Sequence, residues 1–275
     1  RLKLLLIFGI LLLVSSFALG LLSIQISKAA VIEKVELQLK DKVEDVASII
    51  NGRFIAFFQF LEGIARAQVL YNEDVSWKDK AIYLANEAKF NNAIKDLLII
   101  DTSGVLYTTS GKTIDVSDRE YFLQSKTGKH YFSEPYISRS DNQLTITLST
   151  PIYNENKQVI AVLDADLPAT WLSDQIDDIV VGKTGYCYIL GLTGNTIAHK
   201  NSDLVKNLEN SIELAKADAT YKSVAEFEQK SLKTTTSEVG YYTYKGRKNI
   251  ASYSAIKTTD WTVIIAAPYD EFMGT

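Results

Sequence analysis

LLIIDTSGVLYTTS, residues 97–110, is an apolar run of strand length, an Asp-Thr-Ser-Gly turn and a second run rich in β-branched and aromatic residues. That pattern predicts a β-hairpin. It returns as YCYILGLTGNTIAH, residues 186–199, again strand, glycine turn, strand. After the first hairpin, Ser117 and Asp118 read as caps of a short helix through Lys126 that carries Arg119 in its first turn. Strands are then expected at Tyr131–Ser138, Leu144–Tyr153 and Val159–Leu167. After the second hairpin a helical stretch runs from about Ile212 to Leu232, followed by strands at Gly240–Tyr244, Asn249–Ile256 and Trp261–Ala267. A whole supersecondary unit that repeats implies two related domains in tandem, each α+β with an antiparallel sheet.

N-terminal to the repeat, the chain is helical in pattern. Leu4 to Ile24 carries no charge, and at about 1.5 Å per residue it spans roughly 31 Å, the thickness of a bilayer's hydrocarbon core. It reads as a transmembrane helix rather than a cleaved signal peptide, whose apolar region is shorter and whose cleavage site Ser15–Gly20 supplies poorly. Arg1 and Lys3 precede it, which places the N-terminus in the cytoplasm and the remainder outside the cell membrane. From Ile32 through Val35, Leu39, Val43, Val46, Ile50, Phe54, Phe57, Leu61 and Ile64, apolar residues recur in steps of three and four. No proline interrupts Gln25 to Arg66, a rod of roughly 63 Å as one helix. Its first half, Lys28 to Val46, is expected to pair with a second copy; its aromatic second half, Arg53 to Ile64, is expected to pack on the domain. A shorter helix is expected from Ser76, as N-cap, to Ile94. The resulting division is an anchor at 1–24, a stalk helix at 25–75, a first module at 76–167, a connecting helix and linker at 168–184, and a second module at 185–275.

Composition removes several classes of function. A formal net charge of −4, with basic residues scattered among acidic ones, does not suggest a nucleic-acid surface. The single cysteine, Cys187, excludes an intramolecular disulfide, and it sits in the strand-like YCYIL as a buried thiol would. His130 and His199 are far apart without metal-ligand spacing. GVLYTTSGKT, residues 104–113, places six residues between its glycines where a phosphate-binding loop needs four. No nucleophile elbow, zinc-protease motif or Cys/His pair is present, and no cofactor is implied.

The candidate site lies between Arg119 and Asp166. Arg119 offers a fork of donors for a carboxylate. Tyr121, Phe122 and Tyr136 offer flat walls, Ser138 a hydroxyl, and Asp164 and Asp166, on one face of the last strand, acceptors for an ammonium group. The same spacing also suits unrelated surface residues.

Anchor, long helix and two PAS-like modules in series resemble the double Cache sensor region of chemoreceptors and sensor histidine kinases, over nearly the whole chain as far as APYDEF, residues 267–272. The resemblance implies that the membrane-distal module, here the first, holds the ligand. It also implies that a second membrane helix and a cytoplasmic signalling part follow beyond Thr275. The subset that binds amino acids has an Arg, one residue, Trp-Tyr, a later Tyr and an Asp closing the module. Arg119 matches the Arg that holds the ligand carboxylate, Tyr136 lies close to the later Tyr, and Asp166 matches the Asp that receives the ammonium. Tyr121 stands in place of Trp, Phe122 in place of Tyr, and Ile114 where an aromatic precedes the Arg. Losing the hydroxyl at Phe122 removes a hydrogen bond of about 0.5–1.5 kcal/mol.

The expected function is therefore extracytoplasmic sensing of a small molecule, an amino acid or related carboxylate, by a homodimeric receptor anchored in the lipid bilayer through residues 4–24. The region is not expected to be an enzyme. A membrane-anchored binding or adhesion module without signalling output and an extracytoplasmic hydrolase are the alternatives, the latter lacking a nucleophile or metal constellation.

Overall fold

The computed structural model describes residues 2–273. Arg1, which enters the orientation reading, and residues 274–275, the end of the expected second module, lie outside the described residues. A single helix, α1 (Leu2–Ala65), is continuous from the anchor segment into the stalk. From Ile7 to Ile26 its large apolar side chains are exposed, and this stretch is long and apolar enough to cross a membrane. Further along, one face goes under: Leu39, Val43, Val46, Ile50, Phe54 and Leu61 are buried.

Beyond α1 come α2 (Gln68–Tyr71) and α3 (Trp77–Ala88), with the Ser76 hydroxyl accepting from Asp79 N at 3.1 Å as the N-cap. The helix stops at Ala88, short of the expected Ile94, because the apolar period ends at an exposed Phe90 and the Asn91 side chain takes Ala93 N at 3.0 Å. The first sheet contains β1 (Asp96–Asp101), β2 (Val105–Tyr107), β3 (Thr113–Asp115), β4 (Tyr131–Phe132), β5 (Tyr136–Ile137), β6 (Leu144–Tyr153) and β7 (Val159–Pro168), with α4 (Glu120–Ser125) packed on it. Its order is β3-β2-β1-β7-β6-β4, with β5 also on β6, and every pairing is antiparallel. The expected strand Tyr131–Ser138 is split. Pro135 has no N–H to donate, and Glu134 leaves the ladder to accept from Leu192 N.

The connecting helix is one turn only, α5 (Trp171–Asp174), because Pro168 still pairs with Thr145 in the sheet. The second module comprises β8 (Tyr186–Leu190), β9 (Thr196–His199), α6 (Ser202–Lys206), α7 (Ser211–Leu214), α8 (Lys222–Ser231), β10 (Glu238–Tyr244), β11 (Arg247–Ala255) and β12 (Thr262–Pro268), before α9 (Asp270–Met273). The expected single helix at 212–232 is broken because Asn210 caps Ile212 and Glu213, and Asp218 then takes Thr220 N and restarts the chain. The sheet order β10-β11-β12-β8-β9 contains β11-β12-β8-β9 where the first sheet has β6-β7-β1-β2. The hairpin strands and the last two strands of each module thus hold equivalent places, as the repeated pattern implies.

Both sheets turn one face to α1. Ile146, Leu148, Leu163 and Ala165 of the first and Ile250, Val263, Ile265 and Ala267 of the second join one core with the buried stripe of α1. Phe54 sits at the junction, its ring 4.7 Å from Phe132 of the first module and 5.9 Å from Trp261 of the second. Of the face of Lys28 to Val46 that was expected to pair with a second copy, the second sheet covers the part from Val35 onward. Leu39, Val43 and Val46 are at most 4% exposed within one chain. What the stripe recognises is β10–β12 of its own chain, and the sequence period does not distinguish an intramolecular partner from a second copy.

Candidate functional site

Strand alternation divides the first sheet's labour. Residues of β7 that face α1 are apolar, and the others, Val162, Asp164 and Asp166, face the opposite side of the sheet, under α4. Antiparallel register places Thr147 and Asp96 beside Asp166, and Ser149 and Leu98 beside Asp164. α4 and β5 roof this face with Tyr121 and Tyr136, whose rings are 5.6 Å apart. The Tyr136 hydroxyl lies 2.6 Å from Thr147 Oγ1, which donates in turn to Asp166 Oδ1.

Arg119 does not stand in the first turn of α4. It is the extended N-cap (φ −79°, ψ 133°), and the expected caps serve elsewhere: the Asp118 carboxylate accepts from both ends of the Arg139 guanidinium at 2.6 and 2.8 Å. From the N-cap position the Arg119 side chain reaches over Tyr136, 5.1 Å from the ring centroid, and donates to Ile137 O at 3.2 Å. Its Nε is buried and has no hydrogen-bond partner among the described residues; Asp164 Oδ1 is the same. Such orphans are costly and uncommon in folded proteins. Here an unpartnered donor and an unpartnered acceptor stand in one module, on the same side of one sheet.

Burial, then the charges of Asp166 and Asp96, hold the Asp164 carboxyl well above the ordinary carboxylate range. Burial raises Asp166 to about 6, and the Thr147 hydrogen bond opposes it. Burial and the two aspartates also push the Tyr121 and Tyr136 phenols upward, so both remain neutral donors.

The structure brings Arg119, Tyr121, Tyr136, Asp164 and Asp166 to one face. Phe122 adjoins them, its ring packed with Ile100, Leu106, Val116 and Val162 and with the Lys126 ammonium 5.0 Å from its centroid. Ser138 is spent locally, its hydroxyl 2.8 Å from that of Ser140 in the turn before β6. Thr147 and Ser149 are chamber residues that sequence reasoning passed over. Their signal was the alternation in LTITLST, which puts hydroxyls on one face and Ile146 and Leu148 on the other. Asp96 gave no signal, because only the register of β1 on β7 makes it a neighbour of Asp166.

An open groove of about 670 Å³ lies on the other side of the sheet, among Glu62, Arg66, Tyr71, His130 and Tyr153. Several of its polar groups are already partnered: Arg66 and His130 each meet Glu62 at 2.9 Å, and His130 Nδ1 meets Thr150. The unpartnered buried atoms of Arg119 and Asp164 lie on the roofed face rather than along this groove.

Residues 23–275 match the family model for the Cache domain, dCache_1. The chain belongs to the Cache-domain family. As such it is a sensor module and not an enzyme. Among curated proteins, this Cache domain is 32% identical over 77 residues to the methyl-accepting chemotaxis protein PscA of Pseudomonas syringae pv. tomato, covering 28% of this chain and 12% of that protein. It is 22% identical over 252 residues to the methyl-accepting chemotaxis protein TlpA of Bacillus subtilis, covering 90% of this chain and 34% of that one. The chain therefore spans about a third of these relatives or less. Among solved structures, the ligand-binding domain of the Pseudomonas fluorescens chemoreceptor CtaA with L-isoleucine superposes with a TM-score of 0.68 at 17% identity, over 90% of this chain and 97% of that one. The sensory domain of the Campylobacter jejuni chemoreceptor Tlp3 gives 0.65 at 16% identity, over 91% and 100%. The ligand-binding domain of Mlp24 with asparagine gives 0.62 at 15% identity, over 88% and 97%. At these identities the likeness is one of fold.

Proposed function

We propose that this chain is the extracytoplasmic sensor region of a transmembrane signalling receptor, and that its first module, the membrane-distal one, binds a small amphoteric ligand, an amino acid or related carboxylate. The observation that carries the reading is the buried, unpartnered Nε of Arg119 on the roofed face that also holds Asp166. A ligand carboxylate meets the guanidinium and the α-ammonium meets Asp166, while Tyr121 and Tyr136 close over the backbone of the ligand. Solved relatives of the same fold hold L-isoleucine and asparagine, and both curated relatives are chemotaxis receptors, which favours a chemoreceptor output.

Residues 4–24 of α1 cross the bilayer, and the exposed side of the rod, with Leu37 and Ile49, meets a second copy. Ligand that draws α4 and β5 onto the sheet changes the packing of β6 and β7 on α1, and the rod carries the shift toward the membrane. Calorimetry of the full chain in lipid nanodiscs against the L-amino acids tests the pocket. Arg119→Ala and Asp166→Ala should each weaken binding by about 10-fold or more, the loss expected for one charged hydrogen bond. Binding that ignores both substitutions would sink the assignment.

A further inference from the structure

Asp164 has no task in holding the backbone of an amino acid. Arg119 and Asp166 suffice for the two charged ends, yet Asp164 is a second carboxyl on the same face of β7, only 1% exposed. No ion pair reaches it among the described residues. Arg119 donates to Ile137 O, Lys95 pairs with Asp141, and the neighbouring Ser149 hydroxyl is occupied by Tyr121 O and Ser125. The groups facing it are Asp166 on its own strand, Asp96 on β1, Tyr121 on α4 and Tyr136 on β5, none of which supplies a positive charge. A carboxyl so placed is unfavourable until a donor meets it.

We infer that Asp164 selects ligands whose side chain ends in a cationic donor, the ornithine and lysine class of amino acids; this rests on the pocket assigned above. Asp164 and Asp166 are one pleat apart, about 7 Å along a strand. Two amines joined by five or six bonds span a similar roughly 6–7.5 Å. With the α-ammonium on Asp166, the side-chain ammonium of ornithine or lysine falls at Asp164, and its methylene stem lies over the strands between the Asp96–Asp166 and Leu98–Asp164 pairs, reaching Leu98. A leucine side chain would leave the carboxyl unmatched, and a serine hydroxyl would not reach it. Burial raises the carboxyl's proton affinity, which favours its protonated form while no cation stands beside it; an ammonium docked there favours breaking the O–H bond, with the proton going to solvent.

The test is calorimetry of the full chain in lipid nanodiscs with L-ornithine, L-lysine and L-leucine, at pH 7 in two buffers of different ionisation enthalpy. Ornithine or lysine should bind at least about 10-fold tighter than leucine and release more protons per ligand than leucine does. Asp164→Asn, which preserves shape, should weaken the basic ligands by about 10- to 100-fold and leave leucine within about 3-fold. The proton count is read on the unaltered protein and stands even if the variant misfolds. Leucine binding as tightly as lysine, with Arg119→Ala still abolishing both, overturns the role of Asp164 and leaves the pocket intact. If no L-amino acid binds, or Arg119→Ala and Asp166→Ala change nothing, the pocket assignment falls and this inference with it.

Discussion

Phe54→Ala should weaken both modules at once. Phe54 is fully buried in α1, and its ring packs edge-on against Phe132, at the end of β4, and against Trp261, which leads into β12. Truncating a buried Phe costs about 3–5 kcal/mol through lost transfer energy and the cavity left behind. Because two edge-to-face pairs disappear together, and each such pair adds about 0.5–1.5 kcal/mol beyond area, the upper end, about 4–5 kcal/mol, is expected. Phe90→Ala is the control: that ring is 85% exposed, so the change should stay within about 0.5 kcal/mol. Equilibrium urea unfolding of the full chain in nanodiscs, followed by the fluorescence of its three tryptophans, Trp77, Trp171 and Trp261, reports both sides of the junction. One shared core predicts one transition, displaced as a whole. A loss below about 1 kcal/mol, or separate transitions of which only one moves, would refute the view that α1 fuses the two sheets into a single cooperative unit.

Acid should stabilise the chain. Burial raises Asp166 to about 6, Glu228 to about 7 and Asp164 well above its ordinary value, so each binds its proton more tightly when folded, and their stabilising contribution is lost as pH rises through those values. Burial lowers His199 to about 4, which works the other way below its ordinary 6.5, but the three acids outweigh it; a melting temperature no higher at pH 5.5 than at pH 7.5 would contradict this balance. Cysteine placed at Leu37, 61% exposed, should crosslink two copies in a membrane, whereas cysteine at Leu39, 3% exposed, should not; the reverse pattern would show that the rod releases its own domain to dimerise. Glu134→Ala should speed hydrogen exchange at the Leu192 amide, which donates to Glu134 Oε1 at 2.6 Å, and should abolish any ligand-dependent protection there; unchanged exchange would remove the contact from the signalling route.

Much of the architecture could be read from the chain because it rests on local period and turn chemistry. The hairpin at 97–110 was legible from Asp101 and Gly104. The Asp101 carboxylate accepts from Ser103 N at 2.9 Å and Val105 N at 3.1 Å, and Gly104 has φ 93°, where a Cβ would lie 2.5 Å from Ser117. What could not be read was which of two equivalent uses a residue finds. Asp118 looks like a helix cap and is instead the partner of Arg139, twenty-one positions away, so Arg119 slips to the N-cap. Ser138 looks like a pocket hydroxyl and closes a turn. The stripe Leu39–Val46 looks like a dimer seam and buries its own second sheet. Each is a competition between a near and a distant partner of similar chemistry, and periodicity is silent on distance. The unpaired state of Asp164 is beyond sequence for the same reason: alternation shows its face, but only the register of β1 and β6 shows that no cation stands opposite.

The proposed pocket and the second module are joined by a short run of backbone. Tyr136, in the chamber roof, is two residues from Glu134, with the rigid Pro135 between them. Ser133, next before Glu134, is locked to Thr147 in both directions, donating N–H to its carbonyl at 2.9 Å and accepting its N–H on the hydroxyl at 2.8 Å. Thr147 is also the residue that connects Tyr136 to Asp166. A ligand that moves Asp166 or Tyr136 therefore acts on a segment with few soft torsions, whose far end is the carboxylate on Leu192 N. The Gly191 backbone is so close that a Cβ there would meet that carboxylate at 2.5 Å, leaving little slack in the contact. Of the routes out of the chamber, this one passes through hydrogen bonds and a proline rather than through deformable aliphatic packing, which makes it the stiffer path to the second module. The aliphatic face that packs on α1 can adjust by small side-chain shifts, so the rod is better suited to follow a displacement of the modules than to initiate one.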